Sequence, residues 1–314
     1  MSRKVLITGA SGYVGGRIRE YLATVTDDML YTTSRDAAQC RTISRCRYLD
    51  LASSDDLDEV LEGIEMVIHL AALDENRCIQ QPQRALEINT VGTFKLLHGA
   101  IRAGVRKFVY FSTIHVYGSP LQGTLTEESC TRPVHPYAYT HRAAEDFILA
   151  AHDQAEIDAM VIRMANAIGP PISPDVDRWT LLVNDLCRQV VTARSMVLRS
   201  DGLQWRDFIA LEDVTRATMH LMNLPREVYG NGIFNLGAGQ CIRIVDVVEL
   251  IAQRCQATLG YLPQIHKPHP SPGEAPAPFT FSIHKLKSAG FTPTYCLARA
   301  IDSTLEFCRN HFLK

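Results

Sequence analysis

The chain has 314 residues, of which 46% are hydrophobic and 21% charged, with a formal net charge of -2 at pH 7. A chain of this length and apolar content can bury one large core, or a large core with a smaller lobe. The near-neutral charge argues against nucleic acid or an anionic membrane as a partner, so any phosphate group must be bound by a local arrangement of residues.

The sequence also bears on the compartment. No apolar run has the length needed to cross a bilayer, and Met1 to Lys4 lead directly into an apolar segment without a signal peptide pattern. The nine cysteines are scattered, odd in number and free of CxxC or zinc spacing. These features predict a cytoplasmic protein with reduced thiols, no metal site and no membrane attachment.

The first segment has the pattern of a nucleotide-binding turn. Val5, Leu6 and Ile7 form a short apolar run, and glycines follow at positions 9, 12 and 15. Such glycines let the backbone turn sharply, approach a pyrophosphate and begin a helix whose amide end faces the anion. The alternative is an ordinary strand-to-helix turn. The pattern predicts a dinucleotide site contacted by Gly9, Ser11, Gly12, Tyr13 and Val14.

Strands and helices alternate through the first half of the chain. Predicted strands are residues 5–7, 29–33, a segment ending at 48–51, 66–72 and 107–112, and predicted helices are residues 12–23 and 82–103. This alternation predicts an α/β fold with a doubly wound parallel Rossmann sheet.

The alternation weakens after Gly169, where prolines and a predicted helix at 180–193 indicate a smaller, discontinuous substrate lobe. We predict a dinucleotide-binding domain of residues 1–168 and 205–238, and a substrate lobe of residues 169–204 and 239–314. Further helices are predicted from Asp213 to 222, at 242–255 and at 297–307, and the proline-rich stretch 267–278 is predicted to be a surface loop.

Two strand ends are expected to contact the dinucleotide. At the end of the second strand, Ser34 and Arg35 favour NADP(H), because an arginine can receive a ribose 2′-phosphate; if Asp36 instead accepts from the 2′-hydroxyl, NAD(H) is the alternative. At the end of the fourth strand, Leu70 and the small residues Ala71 and Ala72 let the cofactor lie close. His69, inside that strand, is interpreted as a hydrogen-bonded core histidine.

Several motifs together resemble the extended short-chain dehydrogenase/reductases of the NAD-dependent epimerase/dehydratase type, which act on nucleotide-diphosphate sugars. They are the glycine segment after Thr8, the run from Phe111 to Gly118, the helix start from Pro136 to Glu145, and the phrases at 161–170, 205–209 and 235–239. The resemblance covers nearly the whole chain.

The resemblance implies roles for individual residues. Thr113 would polarise a sugar oxygen, Tyr137 would exchange a proton with it, and Asn166 and Arg206 would bind the substrate diphosphate. Asp50 and Leu51 would contact the adenine, although Asp50 could instead cap the next helix. Asn89 would lie near the active site and contact the cofactor, or it could be an ordinary helix-to-helix contact. Thr113 could instead be a strand-end hydroxyl that satisfies a loop amide, Tyr137 an aromatic residue at a helix start, and Arg206 an ion-pair partner of Asp207 or Asp213. The resemblance also implies a homodimer formed by the helices at 82–103 and 137–151.

The sequence departs from the family at two places. Four residues after Tyr137, where the family has lysine, stands His141, which still can hydrogen-bond the nicotinamide ribose. A neutral histidine stabilises a phenolate less than a lysine does, so the substitution favours Tyr137 as a general acid, in ketone reduction. The second departure is Ile114 and His115, where sugar-nucleotide 4,6-dehydratases carry acidic residues, and we therefore disfavour a dehydratase.

Three hypotheses follow. The first is an NADPH-dependent reductase of a 4-keto sugar nucleotide, and the second is an NAD-dependent nucleotide-sugar 4-epimerase. The third is a nucleotide-binding regulatory protein that has lost turnover with the lysine.

Overall fold

The computed structural model describes residues 2–53, 57–269 and 276–313. The large sheet contains seven strands, all parallel, in the order β11-β7-β5-β4-β1-β2-β3. Its strands are β1 (Lys4–Thr8), β2 (Met29–Ser34), β3 (Cys46–Tyr48), β4 (Met66–His69), β5 (Lys107–Thr113), β7 (Asp158–Met164) and β11 (Ile233–Leu236). Because β2 and β4 flank β1, the chain winds in both directions from β1, which confirms the predicted doubly wound fold.

Helices cover both faces of this sheet because its strands are apolar on both sides. Val5 and Ile7 face one buried cluster and Leu6 faces the other. The helices are α1 (Tyr13–Val25), α2 (Ala37–Thr42), α3 (Asp58–Leu61), α4 (Glu75–Gln80), α5 (Pro82–Ala85), α6 (Thr93–Arg102), α7 (Pro136–Asp153) and α9 (Leu211–Met222). The helix from Asp213 was predicted two residues too late, since it begins at Leu211.

The predicted helix at 82–103 contains an irregular section. Residues Leu86–Gly92 form a π-helix between α5 and α6. Gly92 lies against Leu51, where a Cβ would come within 2.7 Å of the Leu51 carbonyl oxygen. The π-helix therefore packs closely against the residues that follow β3.

The remaining elements form smaller units. A three-stranded sheet contains β8 (Asn166–Ile168), β10 (Trp205–Ala210) and β12 (Cys241–Arg243), and two strand pairs join β6 (Gly123–Leu125) to β14 (Phe279–Phe281) and β9 (Ser195–Val197) to β13 (Gln264–His266). The helices here are α8 (Leu182–Ala193), α10 (Ile244–Leu259), α11 (His284–Ser288) and α12 (Leu297–Phe312). Helices α8, α10 and α12 enclose a third apolar cluster.

The proposed substrate lobe of residues 169–204 and 239–314 supplies most of this third cluster. β10, predicted in the dinucleotide-binding domain, hydrogen-bonds to β8 and β12 rather than to the large sheet. The predicted surface loop at 267–278 lies partly outside the described residues. In its described part, residues 267–269 and 276–278 are neither helix nor strand.

Two sets of hydrogen bonds join segments that are far apart in the chain. The Tyr13 hydroxyl, at the start of α1, donates to the Gly169 carbonyl at 2.7 Å. The fully buried Asp207 carboxylate accepts from Ala238 N at 2.7 Å and from Gln240 N at 3.1 Å. The first contact therefore joins the start of α1 to the residue after β8. The second joins β10 to the turn between β11 and β12.

Candidate active site at the carboxyl ends of the strands

A cavity of about 860 Å³ opens at the carboxyl ends of β1, β2, β4 and β5. Open parallel sheets bind ligands at this edge, next to the strand where the winding reverses. Sixteen of the predicted site residues line the cavity: Gly9, Ser11, Gly12, Tyr13, Val14, Ser34, Arg35, Asp50, Leu51, Leu70, Ala71, Ala72, Thr113, Tyr137, His141 and Asn166.

The glycine turn is a cradle with no space for side chains. Gly9 has φ +70, and a Cβ there would lie 2.9 Å from Ala71 N. A Cβ on Gly15 would overlap the Gly9 carbonyl oxygen, and Gly12 N donates to that oxygen at 2.9 Å. Because the N-terminus of α1 follows directly, the turn fits a dinucleotide pyrophosphate.

The end of β2 presents a cation to the cavity. The Asp36 carboxylate caps α2 by accepting from Ala38 N at 2.8 Å, and Asp36 N donates to Ser34 Oγ at 3.0 Å. Arg35 is exposed and has no ion pair among the described residues. One Asp36 oxygen is thus occupied by the helix, while the Arg35 guanidinium stays available.

Asp50 also has a local structural role. Its carboxylate accepts from Ala52 N at 3.1 Å and from Ser53 Oγ at 3.0 Å. Asp50 therefore orders the turn after β3 while lining the cavity, whereas the next helix, α3, begins at Asp58 with Leu57 at its N-cap.

His69 is a hydrogen-bonded core histidine, as interpreted from the sequence. Thr93 Oγ1 donates to the Asn89 carbonyl at 2.7 Å, so it accepts from His69 Nε2 at 2.8 Å. His69 Nδ1 then accepts from Thr8 Oγ1 at 2.7 Å. Burial lowers the pKa of His69 to about 3, which keeps the ring neutral.

Asn89 lies behind the cavity wall, which corrects its prediction as a cofactor contact. It is only 1% exposed and does not line the cavity. Its Oδ1 accepts from Leu73 N at 2.8 Å, and its Nδ2 donates to Thr140 Oγ1 at 3.1 Å. Asn89, on the π-helix, thus holds the loop after β4 against α7.

Thr113 and Tyr137 both line the cavity. Thr113 ends β5, and its Oγ1 accepts from His115 N at 3.3 Å, which leaves its proton free for a ligand. The Tyr137 hydroxyl makes no hydrogen bond to any residue that the structure describes, although the residue lines the cavity. Burial, opposed in part by the charge of Arg178, raises the pKa of Tyr137 to about 12.

His141 lies one turn after Tyr137 with its ring against the phenol, at 4.3 Å between ring centroids. Its Nδ1 donates to the Tyr137 carbonyl at 2.8 Å, so Nε2 of the neutral ring is an acceptor. Burial lowers the pKa of His141 to about 4. His141 therefore adds no positive charge beside the phenol at neutral pH, in contrast to a lysine.

The two predicted diphosphate ligands are placed differently. Asn166 lines the cavity and donates to the Asp207 carbonyl at 2.9 Å. Arg206 is not among the lining residues, and its Nη1 donates to the Trp205 carbonyl at 3.0 Å, so its binding to the diphosphate stays a prediction. Nor does Arg206 pair with Asp207 or Asp213 in the described chain: Asp207 binds backbone amides, and Asp213 pairs with Arg216 at 2.5 Å.

Four charged residues of the cavity carried no role in the sequence interpretation: Asp74, Glu75, Arg77 and Arg178. Asp74 caps α4 by accepting from Arg77 N at 3.0 Å, and Arg178 Nη1 lies 3.6 Å from its carboxylate. An aspartate after the fourth apolar strand is a detectable capping signal. The position of Arg178 gives no such signal in the sequence, because Arg178 reaches the cavity from the other side of the cleft.

A buried polar network supports the wall behind Thr113. Arg163 donates to Glu145 through Nη2 at 2.8 Å and to the Tyr117 hydroxyl through Nη1 at 3.0 Å. Ser112 Oγ donates to Glu145 as well, and the Tyr117 hydroxyl donates to Asn235. Burial alone would lower the pKa of Arg163, but hydrogen bonds and charge from Glu145 raise it, so the guanidinium stays charged.

Across residues 2–53, 57–269 and 276–313, no three His, Cys, Asp or Glu side chains are grouped to hold a metal ion. Within the same ranges no helix is both long and apolar enough to pass through a bilayer. All nine cysteines are free thiols.

Comparisons with known proteins agree with this geometry. The model of the "NAD dependent epimerase/dehydratase family" matches residues 5–237. The chain is 26% identical to a dTDP-glucose 4,6-dehydratase of Streptomyces niveus, covering 98% of this chain and 93% of that one. It is also 26% identical to a UDP-glucose 4-epimerase of Mycolicibacterium smegmatis, covering 98% and 99%. A solved structure, MoeE5 in complex with UDP-glucuronic acid and NAD, has a TM-score of 0.80 at 26% identity, covering 98% and 99%.

The Rossmann sheet and the cavity with its tyrosine define an oxidoreductase of the extended short-chain type. The chain belongs to the NAD-dependent epimerase/dehydratase family.

The glycine cradle generates a first prediction. Gly15→Ala should weaken dinucleotide binding at least tenfold, because the new Cβ must displace the Gly9 carbonyl from the cradle. Fluorescence titration with the reduced dinucleotide measures the effect. Gln256→Ala is the control, since Gln256 is an exposed residue of α10 outside the cavity lining. Equal affinity for wild type and Gly15→Ala would show that the pyrophosphate binds elsewhere.

Proposed function

We propose that this protein is an NADPH-dependent reductase that acts on the C4 ketone of a nucleotide-diphosphate sugar. The observation that carries the proposal is the uncharged environment of Tyr137: a half-buried phenol whose ring centroid lies 4.3 Å from that of a neutral histidine, and the free nitrogen of this histidine is an acceptor. That environment keeps the phenol protonated, which is the state that a general acid requires.

The energetic cost of the opposite role is large. With a pKa of about 12, ionising Tyr137 at pH 7 takes five units, or about 7 kcal/mol. Reduction starts from the protonated phenol, and Tyr137 ionises only as its proton moves to the substrate oxygen. Alcohol oxidation, in contrast, must begin with the phenolate. The raised pKa therefore supports the protonated phenol from which reduction starts, as the replacement of lysine does.

Each cavity residue has a part in this reaction. Tyr137 gives its hydroxyl proton to the carbonyl oxygen at C4, and Thr113 donates a hydrogen bond to the same oxygen. His141 Nε2 accepts from a hydroxyl of the cofactor ribose and orients it. When bound, the reduced nicotinamide supplies the hydride to the carbonyl carbon.

The proposed substrate class rests on the family and on the shape of the cleft. Relatives are named for dTDP-glucose and UDP-glucose, and MoeE5 was solved with a UDP sugar. Asn166 contacts the diphosphate in this proposal, and Arg206 provides a positive potential from beyond the cavity lining. We further propose that the protein works in the cytoplasm, without nucleic acid or membrane partners.

The 4-epimerase remains the second candidate because a relative of equal identity carries that name. An epimerase must oxidise C4 before reducing it again, and MoeE5 was solved with NAD. A dinucleotide that copurifies as NAD would favour this candidate over the reductase.

We propose a homodimer formed by the helical span 82–102 and α7. Phe94 and Phe147 on these helices pack edge to face at 5.0 Å and remain 38% and 41% exposed, with Val91 46% exposed beside them. An exposed apolar patch shared by two adjacent helices is typical of a subunit contact.

The Tyr137 environment predicts the pH dependence. Because oxidation needs the phenolate and the pKa is about 12, kcat/KM for oxidation of the 4-hydroxyl should rise about tenfold per pH unit between pH 7 and 10. Reduction should stay nearly flat over the same range. Profiles measured in both directions test this, and an oxidation profile already level at pH 8 would contradict it.

A variant of the neighbouring histidine sharpens the same test. His141→Lys places a positive charge beside the phenol and lowers the pKa of Tyr137, so the oxidation profile should level off at a lower pH. His284→Lys, at an exposed histidine of α11, should leave the profile unchanged. If His141→Lys and wild type both bind dinucleotide but turn over no sugar nucleotide, the non-catalytic regulatory hypothesis is favoured.

Arg35 predicts the cofactor preference. Arg35→Ala should weaken NADPH binding ten- to a hundredfold, because a charge-assisted contact to the 2′-phosphate contributes about 1.5–3 kcal/mol. NADH binding should change less than about twofold on the same reasoning. Arg41→Ala, an exposed arginine of α2 outside the cavity lining, is the control. A wild-type protein that prefers NADH would refute the assignment to NADPH.

The apolar patch predicts the oligomeric state. Light scattering should give twice the mass of the 35.0 kDa chain for wild type and a monomer for Phe94→Glu combined with Phe147→Glu. Val197→Glu, at an apolar residue 53% exposed on β9, should leave the dimer intact. A monomeric wild type would eliminate the proposed dimer.

A further inference from the structure

Two cysteines lie in contact near the edge of the Rossmann sheet. Cys40 is in α2, and Cys46 is the first residue of β3. Their sulfur atoms are 2.8 Å apart, compared with about 2.05 Å in a disulfide bond. Both residues are partly exposed, and neither is among the described lining residues of the cavity. The pair is therefore a dithiol, close to bonding distance, that has no part in the proposed reduction.

A tight turn of the backbone brings the two cysteines together. Arg45 has a left-handed φ of +57, and Cys46 N donates to the Ile43 carbonyl at 3.2 Å. The Arg45 carbonyl accepts from Thr32 N at 2.9 Å, which joins this turn to β2. The backbone therefore holds Cys46 beside Cys40.

The helix that carries Cys40 also forms part of the cavity wall. Its N-cap Asp36 and its residue Gln39 line the cavity together with Ser34 and Arg35. Ser34 Oγ donates to Gln39 Oε1 at 3.0 Å, and Gln39 is followed directly by Cys40. A shift of Cys40 therefore moves the residues beside Arg35, which the proposed function places at the ribose 2′-phosphate of NADPH.

The register of the sheet gives the direction of that shift. Cys40 Sγ lies 3.9 Å from the carbonyl oxygen of Ser34, the last residue of β2. Cys46 pairs with Thr32, two residues earlier in β2. Because the cavity opens at the carboxyl ends of the strands, a bond between the two sulfurs would draw α2 away from the cavity edge.

We propose that Cys40 and Cys46 are a site of reversible thiol oxidation, and that the disulfide between them weakens binding of the dinucleotide. In a reducing compartment such a pair stays open until an oxidant accumulates, as in redox-sensing proteins. The effect on NADPH rests on the proposed function, whereas formation of the disulfide does not.

The step balances with a disulfide of low molecular mass as the oxidant, and glutathione disulfide is the probe. One cysteine thiolate attacks a sulfur of the oxidant and releases one glutathione thiolate. The second cysteine thiolate attacks the resulting mixed disulfide, forms the bond between Cys40 and Cys46, and releases the second glutathione. The protein loses two electrons and two protons, and the two glutathione thiolates take up these protons.

The protonation state of Cys40 bears on the speed of this reaction. Burial, the neighbouring sulfur of Cys46 and the charge of Asp36 raise the pKa of Cys40 to about 11. Cys40 is therefore a protonated thiol at pH 7, and the pair closes slowly there because the thiolate is the reactive form. The test must accordingly be run to equilibrium.

Equilibration with glutathione tests the site. The full-length protein is kept without oxygen in mixtures of reduced glutathione and glutathione disulfide at pH 8, and remaining thiols are blocked before digestion. Trypsin cleaves on both sides of each cysteine, so the expected product is peptide 36–41 linked to peptide 46–47. Its mass should be two units below the sum of the two reduced peptides.

Titration with NADPH tests the effect of the disulfide. Oxidation should weaken NADPH binding at least threefold, and dithiothreitol should restore the affinity. Saturating NADPH should in turn lower the equilibrium constant for disulfide formation by the same factor, because the coupling of the two events is reciprocal. A contact with only a structural role would not shift that equilibrium.

Cysteine variants assign the effect to this pair. Cys40→Ser and Cys46→Ser should each abolish the linked peptide and the loss of affinity on oxidation. Cys130→Ser combined with Cys296→Ser is the matched control, since it removes two exposed thiols elsewhere in the chain and should respond as wild type does.

The outcomes separate this inference from the proposed function. A linked peptide together with weaker NADPH binding would support the site. Failure to find the linked peptide in glutathione disulfide alone, or unchanged or tighter NADPH binding in the linked protein, would overturn it. If the reduced protein binds NADH and not NADPH, the proposed function fails, and the same titration with NADH decides this inference.

Discussion

A directional chain of buried hydrogen bonds organises the site. It runs from Thr8 through His69 and Thr93 to Asn89, and from Asn89 to Thr140 on the helix that carries Tyr137. Each buried polar group must find a partner, so the chain allows only one arrangement of its members. The glycine turn and the proton donor therefore keep a set geometry although more than a hundred residues separate them in sequence.

The second constraint is electrostatic. The family's lysine would hold a positive charge one helical turn from the phenol. The neutral ring of His141 instead donates its one N–H to the backbone carbonyl of Tyr137. Burial then penalises the charged form of both side chains and raises the pKa of the phenol while lowering that of the imidazole. As a result, the phenol is protonated and the imidazole is neutral at pH 7.

Much of the site was accessible from local patterns. The glycines, Thr113 and Tyr137 belong to short motifs whose chemistry depends on spacing within one turn or one strand end, and the structure places them on one cavity. Arg206 and Asn89 were harder, because their positions depend on packing. The Arg206 guanidinium donates to the Trp205 carbonyl. Asn89 lies behind the cavity wall on a π-helical turn, which no residue pattern in the sequence predicted.

By itself, the sequence determined the doubly wound sheet, the dinucleotide turn and the order of the chemical groups, because apolar periodicity and glycine placement act over a few neighbouring residues. Only the tertiary structure decided which charges share the cavity. Arg178 and Asp74, for example, come from opposite sides of the cleft to within 3.6 Å. Protonation states were decided there as well, since burial and hydrogen-bond direction depend on every element packed around a ring and not on its neighbours along the chain.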